Sequence, residues 1–271
     1  MRCDCNYNVL DRLVSAGADL LHQDRFGQTP LHVYFNSAVR TLIEFHCSEI
    51  DSTSQDNRGR TLAHYVAYTN SSQRVDLMRC VNGDTAPMTI ADEEGRIPLH
   101  LACKRGNLDV IHYLLSRKNV DVSIRDYQGR SLLHYAAESR RGVQVIERLL
   151  QHGIGLQAVD IHGRTAIHHA ASEGNLAVVQ KLIEVGAGSQ LSMRDDTLKT
   201  PLELASINRQ TAVVEYLRSV VGEELESIVW KDDTTEDLTP VEKRNTIIGL
   251  SLHSWAAFSL IILAIIGSRF S

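Results

Sequence analysis

Histidine is the residue type in this sequence that most readily suggests chemistry, because a neutral imidazole transfers protons and binds metal ions near physiological pH. The chain has twelve histidines among its 271 residues. Five of them follow the same kind of short motif and so occupy one position of a repeat: His32, His64, His100, His134 and His168. His168 and His169 are neighbours in a predicted helix, where successive side chains point in different directions and cannot both face one metal ion.

The sequence carries none of the short signatures that would turn these residues into a catalytic site. It has no His-Glu-x-x-His, no Walker loop, no Gly-x-Ser-x-Gly and no dinucleotide-binding glycine pattern. Cys3 and Cys5 would need further ligands to bind a metal, and the sequence places none. We therefore predict no catalytic residue, no metal, no cofactor and no small-molecule substrate, and we expect that the protein is not an enzyme.

Composition excludes several other classes. The five cysteines are odd in number and irregular in spacing, which argues against a secreted disulfide framework, and we expect Cys103 to be a packing residue. The net charge is −5 and no basic stripe is present, so a nucleic-acid partner is not expected.

The positions of the histidines are set by a repeat of about 34 residues. Most copies have an Asp, a Gly three residues later and then a Thr/Pro/Leu/His cluster, and the steps between the aspartates are 32, 36, 34, 34 and 35 residues. The six copies, called repeats 1 to 6 below, begin at Asp24, Asp56, Asp92, Asp126, Asp160 and Asp195.

Each copy predicts a pair of helices. Thr or Ser is a preferred N-cap, and Pro fits the first helical position because its missing N–H would have no partner there. A second apolar run with helical spacing follows, as in Leu108, Ile111 and Leu115. Gly106-Asn107 and Gly174-Asn175 fit the turn between the two helices. A unit of this kind cannot bury its apolar face alone, whereas stacked units can.

The cluster and the period resemble those of the ankyrin-repeat family, and the resemblance covers residues 8–221. It implies an all-α solenoid of helix–turn–helix repeats with hairpin loops, and a structural role for the recurring residues. In that family the imidazole hydrogen-bonds to the hydroxyl that opens the helix. The residues with this implied role are Thr29, His32, Thr61, His64, His100, His134, Thr165, His168 and Thr200.

Three parts of the chain depart from the pattern. Leu198 and Glu203 replace the Gly and His of repeat 6, so its hairpin is expected to be irregular. The longest step, between repeats 2 and 3, predicts a bulging loop at 82–89. Residues 9–19 look like the second helix of a repeat whose first helix is missing, which we interpret as a shortened gene product rather than an end covered by a partner.

An arginine recurs beside the repeat Asp, at Arg60, Arg96, Arg130 and Arg164, with Lys199 in repeat 6. One interpretation is a basic ladder for an acidic partner. We favour the other, in which each side chain lies near an Asp and the charges alternate from one repeat to the next. Each such pair, if exposed, would contribute well under ~1 kcal/mol.

Partners of ankyrin-like solenoids usually bind the hairpin tips and the inner, first helices. Large aromatic and Arg side chains are favoured anchors in such interfaces. On this basis the predicted partner-binding residues are Arg58, Tyr68, Glu93, Glu94, Lys104, Arg105, Tyr127, Tyr135, Glu138 and His162.

The pattern stops at Gly222. Residues 222–239 read as a short cap and an acidic linker, and residues 222–245 hold eight acidic and three basic side chains. Residues 240–267 then predict a helix in which 246–267 is uncharged and mostly apolar. At about 1.5 Å per residue this stretch is long enough for a hydrocarbon core of about 30 Å. A helix folded back on the solenoid is the alternative.

Together these features predict a protein-interaction scaffold: a cytosolic solenoid held to a membrane by one C-terminal helix, resembling tail-anchored proteins in layout. The competing hypotheses are the regulatory ankyrin portion of a membrane enzyme such as an acyltransferase, or of a channel, and a fully soluble, cytoplasmic ankyrin scaffold. The sequence does not identify the protein partner or the membrane.

Overall fold

A computed structural model of the chain describes residues 16–19, 21–34, 53–69, 75, 78, 88–117 and 120–229. The predicted half-repeat helix at the start, most of the loop at 82–89 and the predicted helix at 240–267 lie outside these residues. The chain divides into two units, Met1–Arg218 and Ser219–Ser271. The first unit holds the repeats, and residues 219–229 of the second are helical.

Each repeat contributes a first helix and, where both are described, a second helix. The first helices are α1 (Pro30–Tyr34), α2 (Leu62–Tyr68), α3 (Pro98–Arg105), α5 (Leu132–Ala137), α7 (Ala166–Glu173) and α9 (Pro201–Ile207). The second helices are α4 (Leu108–Leu115), α6 (Gly142–Leu150), α8 (Leu176–Leu182) and α10 (Thr211–Val229). A π-helical segment, Ile183–Ala187, and a 3₁₀ helix, Gly188–Ser192, follow α8.

The described part of the chain is α-helical and has no β-strand. Isolated antiparallel bridges join Arg125 to Ser131 and Val159 to Thr165, at the bases of the hairpin loops of repeats 4 and 5. This confirms the predicted helix–turn–helix repeats with hairpin loops.

Stacking of neighbouring repeats builds the core. The first helices α2, α3, α5, α7 and α9 pack on one another in that order, and the second helices α4, α6 and α8 pack in a parallel row. Alanines of the first helices α3, α5 and α7 are completely buried: Ala102, Ala136, Ala137, Ala170 and Ala171. Cys103 is also completely buried and burial raises the pKa of its thiol, as expected for a packing residue.

In repeats 3 and 5 the turn between the two helices carries a side-chain hydrogen bond to the preceding repeat. Gly106 ends α3 with φ 66° and Gly174 ends α7 with φ 76°. The Nδ2 group of Asn107 then donates to the carbonyl groups of Ala67 and Thr69. Asn175 donates likewise to Ser139, at 2.8 Å. The predicted Gly-Asn turns are therefore confirmed, and the asparagine links adjacent repeats.

The hairpin of repeat 6 corrects a prediction. Leu198 stands where other repeats have Gly, yet it adopts φ 60°, close to the φ 76° of Gly95. The turn closes as usual, because the Leu198 amide donates to the Asp195 carbonyl at 2.7 Å and the Asp195 amide donates to the Lys199 carbonyl at 2.9 Å. Repeat 6 thus keeps the turn at a conformational cost of about 1–2 kcal/mol.

The end of the repeats also differs from the prediction. The repeat pattern of the sequence stops at Gly222, but helix α10 continues through this residue to Val229. Among the described residues, no helix combines the length and the apolar character needed to cross a membrane. The predicted span at 246–267 lies outside those residues.

Candidate functional site

Each hairpin loop is built around the carboxylate of its repeat Asp, which is buried in repeats 2 to 6. In repeat 4, Asp126 Oδ1 accepts hydrogen bonds from the amides of Gln128 and Arg130, at 2.9 and 2.8 Å. Burial raises the pKa of Asp126, but hydrogen bonds from Tyr135 and Arg130 outweigh it, and the net pKa is lowered. The same two backbone bonds recur at each repeat Asp for which both are described.

Successive hairpins are joined through their backbones. The residue that follows each repeat Asp donates its backbone amide to a carbonyl group of the preceding repeat. The acceptor lies two places after the Asp of that preceding repeat, and the N–O distance is 2.9 Å each time. The pairs are Asn57 to Phe26, Glu93 to Arg58, Tyr127 to Glu94, Ile161 to Gln128 and Asp196 to His162. The tips therefore form one continuous edge on which side chains are held at fixed spacing.

The recurring arginines are not a free basic ladder. Arg60, Arg96 and Arg130 pair with the Asp of their own repeat, at N–O distances of 2.7 to 2.8 Å. Arg164 instead reaches Asp195 of the next repeat, at 2.9 Å. The favoured structural interpretation is supported, with two corrections: most pairs stay within a repeat, and the aspartate side chains are at most 2% exposed.

The recurring histidines cap the first helices. Nδ1 of His64 accepts from the Thr61 amide at 3.1 Å and lies 2.9 Å from the Thr61 hydroxyl, while Nε2 donates to the Arg96 carbonyl of the next repeat at 2.8 Å. The same contact between hydroxyl and ring is present at Thr29–His32, Ser131–His134 and Thr165–His168. In repeat 6, Glu203 takes the place of His and accepts from the Thr200 amide at 2.8 Å.

Burial gives these histidines a common protonation state. It lowers the pKa values of His32, His64 and His168. It lowers those of His100 and His134 to about 4. The imidazoles are therefore neutral caps, and within the described residues no group of three or more His, Cys, Asp or Glu side chains is arranged to hold a metal ion.

Tyr135 was predicted to be an exposed anchor, and this is wrong. It is 1% exposed. Its hydroxyl donates to Asp126 Oδ2 at 2.6 Å, and its ring meets the edge of His100 with a centroid distance of 5.1 Å. Tyr135 therefore belongs to the hairpin base and is not available to a partner.

Lys104 and Glu138 are less available than the sequence suggested, because they belong to a chain of charges across repeats 3 to 5. Lys104 Nζ lies 2.8 Å from Glu138 Oε2, Glu138 Oε1 lies 3.4 Å from His169 Nδ1, and His169 Nε2 lies 2.9 Å from Asp160 Oδ2. Burial opposes the charge on Glu138, but hydrogen bonds from His169 and Lys104 lower its pKa to about 2. Burial lowers the pKa of His169, but the two carboxylates raise it overall.

The remaining predicted residues are exposed and fall into two groups. Tyr127 is 72% exposed at the tip of repeat 4, and Arg58, Glu93, Glu94 and His162 are also exposed on the tips. Tyr68 and Arg105 form the second group, at the ends of α2 and α3, with the Arg105 guanidinium 3.6 Å from the centre of the Tyr68 ring. Because Tyr68 is 46% exposed, this stacked pair lies in solvent.

Two exposed arginines near the second group were missed. Arg140 and Arg141 occupy the positions of Gly106-Asn107 in repeat 3 and Gly174-Asn175 in repeat 5, and both are exposed. Aligning the inter-helix turns with one another would have revealed this departure from the pattern. Ile161, which is 58% exposed beside Tyr127 on the tips, is a further exposed apolar residue.

The comparisons with known proteins agree with this architecture. A family model described as ankyrin repeats in three copies matches residues 77–160 and 144–227, which together span more than half of the chain. The chain belongs to the ankyrin-repeat family. Ankyrin repeats generally bind other proteins.

Individual similarities cover only parts of the relatives. Human inversin is 30% identical over 112 residues, which is 40% of this chain and 10% of inversin. Mouse inversin is 33% identical over 108 residues, or 37% of this chain and 10% of inversin. The matched region therefore spans about a tenth of the length of these relatives.

Among solved structures, the ankyrin repeat domain of Bcl-3, described as a unique member of the IkappaB protein family, is similar to this chain. The TM-score is 0.55 at 26% identity, and the alignment covers 78% of this chain and 91% of that domain.

Proposed function

We propose that the chain is a non-enzymatic protein-interaction scaffold that binds a partner protein on its hairpin tips and on the exposed ends of its first helices. The observation that carries this proposal is the exposure of Tyr127, on a hairpin joined to its neighbours by backbone hydrogen bonds, and of the Tyr68–Arg105 pair. Large aromatic side chains bury much area with little loss of conformational entropy, so they are common anchors of interfaces.

The exposed side chains of Tyr68 and Tyr127 have no evident role in stabilising the repeats. Tyr65 and Tyr135 are also in first helices, but their hydroxyls bond to Asp56 and Asp126. The Tyr127 hydroxyl makes no such bond with the described residues; its ring lies next to Gly95, and its backbone amide donates to the Glu94 carbonyl. Replacing the Tyr127 or Tyr68 side chain is therefore expected to leave the repeats folded.

The double variant Tyr68→Ser/Tyr127→Ser tests this proposal. We expect it to weaken binding of a partner identified by proximity labelling by about thirtyfold or more, since anchors of this kind contribute about 2 kcal/mol or more. Isothermal titration with the purified full chain measures the effect. The matched control is Gln144→Ala/Gln180→Ala, which changes exposed residues of α6 and α8. Equal affinities for the two variants would contradict the proposal.

We further propose that residues 246–267 attach the scaffold to a membrane, with the repeats on the cytosolic side. The support is the composition of this stretch, which is mostly apolar and has no charged residue. A helix of about 20 predominantly apolar residues spans a bilayer. We expect the full chain to remain with membranes after alkaline carbonate extraction, and the variant Leu260→Arg/Leu263→Arg to be released. Release of the unchanged chain would favour the soluble alternative.

A further inference from the structure

The turn between α5 and α6 lacks a hydrogen bond that the corresponding turns of other repeats make to the preceding repeat. In repeats 3, 5 and 6 this turn sends an amide side chain to the preceding repeat: Asn107 to Thr69, Asn175 to Ser139 and Gln210 to Ser172. In repeat 4 the corresponding residue is Arg141, preceded by Arg140, where repeats 3 and 5 have Gly and repeat 6 has Arg209. The repeat therefore lacks the amide that makes the inter-repeat bond elsewhere and carries two positive charges in its place. Departures from local structural rules are concentrated at functional positions.

These two arginines lie beside a third. A Cβ atom added to Gly106 would be 2.7 Å from Arg141 Cβ, so the turns of repeats 3 and 4 are in direct contact. Arg105 immediately precedes Gly106 and stacks on Tyr68 of repeat 2. We define the arginine turn as Arg105, Arg140 and Arg141, with Tyr68 at its edge.

The charges of the arginine turn are not neutralised within the described part of the chain. None of its three guanidinium groups has a carboxylate within 4.0 Å there, whereas Lys104, next to Arg105, is paired with Glu138 at 2.8 Å. Stacking on Tyr68 fixes the plane of the Arg105 guanidinium and leaves its edge donors free, and a planar guanidinium matches a carboxylate with two parallel hydrogen bonds.

We infer that the arginine turn binds a short acidic segment of a partner protein, rich in Glu and Asp. This inference rests on the proposed scaffold function and assigns the chemistry of one contact. The positive surface is narrow, because Glu173 is exposed on the corresponding turn of repeat 5 and Asp109 is exposed at the start of α4. A narrow patch between acidic residues fits an extended peptide, whereas a flat anionic membrane would be repelled by those neighbours.

The variant Arg140→Gln/Arg141→Gln tests the inference in the full chain. The probe is a fluorescein-labelled poly-glutamate peptide, followed by fluorescence polarisation. We expect binding to the unchanged chain that weakens as salt is added, and a loss of about tenfold in affinity in the variant. A second variant, Arg140→Gly/Arg141→Asn, restores the turn sequence of repeats 3 and 5. It is expected to lose binding without losing resistance to urea, which separates a binding role from a structural one.

The charge-matched control is Arg25→Gln/Arg209→Gln, which removes two exposed arginines from other repeats. An equal loss in this control, or no binding of the peptide by the unchanged chain, would overturn the inference. It would also be overturned if the arginine-turn variant lost binding to phosphatidylserine vesicles while binding the peptide normally. A natural partner could still bind Arg140→Gln/Arg141→Gln but fail to bind Tyr68→Ser/Tyr127→Ser. That result would overturn only the role of the arginine turn and would leave the proposed scaffold function intact.

Discussion

Replacing Gly95 by Ala is expected to destabilise the repeats by about 3–4 kcal/mol, because the hairpins of repeats 3 and 4 approach closely at this residue. Gly95 has φ 76°, and an added Cβ would be 2.7 Å from the Tyr127 amide nitrogen and 2.6 Å from Tyr127 Cδ1. That amide donates to the Glu94 carbonyl at 2.9 Å. The methyl group must therefore separate the two hairpins and break their hydrogen bond.

Gly153 supplies a matched control within the same chain. It has the same φ of 76°, but nothing lies within 4 Å of a Cβ added to it. Gly153→Ala thus reports the conformational cost alone, which is about 1 kcal/mol. Urea unfolding followed by circular dichroism measures both variants, and hydrogen exchange at the Tyr127 amide should accelerate only in Gly95→Ala. Similar losses in the two variants would show that contact between hairpins contributes little.

The sequence was sufficient for features that are local and recur in every copy. The Thr/Ser–His cap joins residues three apart, so its geometry follows once the helix start is known, and Thr61–His64 and Ser131–His134 have the same arrangement. The loop glycines were predictable for a similar reason, since their positive φ values arise from the turn itself.

Burial of individual side chains was not predictable, because it depends on which residue the adjacent repeat supplies. Tyr65 and Tyr135 occupy the same position, yet Tyr65 is half-buried and Tyr135 is fully buried. Both rings meet the edge of the recurring His of the preceding repeat at a centroid distance of 5.1 Å. The Tyr135 ring also has Lys104 Nζ 5.9 Å from its centre, and periodicity does not specify that neighbour.

The sequence also did not predict which aspartate each recurring arginine pairs with. In repeat 4, Tyr135 and Arg130 share Asp126 Oδ2, so the pair stays within the repeat. In repeat 5, His169 stands in the place of Tyr and bonds to Asp160 Oδ2. Arg164 bonds instead to Asp195 of repeat 6. One substitution in the pattern therefore accompanies a salt bridge that joins two repeats, and only the three-dimensional arrangement reveals it.

Acidification from about pH 7 to about pH 5 is expected to lower the free energy of unfolding by about 4 kcal/mol, through His100 and His134 alone. Their ordinary pKa is 6.5, and burial lowers it to about 4 in the folded chain. Between these values the unfolded chain binds protons that the folded chain does not, so stability falls as the pH falls. Each residue contributes about 2 kcal/mol at pH 5.

The other described groups whose pKa values are shifted do not reverse this trend. His32, His64 and His168 have lowered pKa values and act in the same direction. His169 acts in the opposite direction: its pKa is raised, so its contribution is fully present below pH 6.5 and is lost as the pH rises through its folded pKa. The carboxylates with lowered pKa values also contribute to the free energy of unfolding. They lose this contribution only at pH values below the range from pH 7 to pH 5.

The variant His134→Gln isolates one of these groups. Its amide oxygen can accept from the Ser131 amide, as Glu203 accepts from Thr200 in repeat 6, so the cap is retained without a titrating ring. We expect lower stability at pH 7 but a loss on acidification that is about 2 kcal/mol smaller. His112→Gln, at an exposed residue of α4, is the control and should follow the unchanged chain. If urea unfolding gave His134→Gln the same pH dependence as the control, neutral buried histidines would not be the cause.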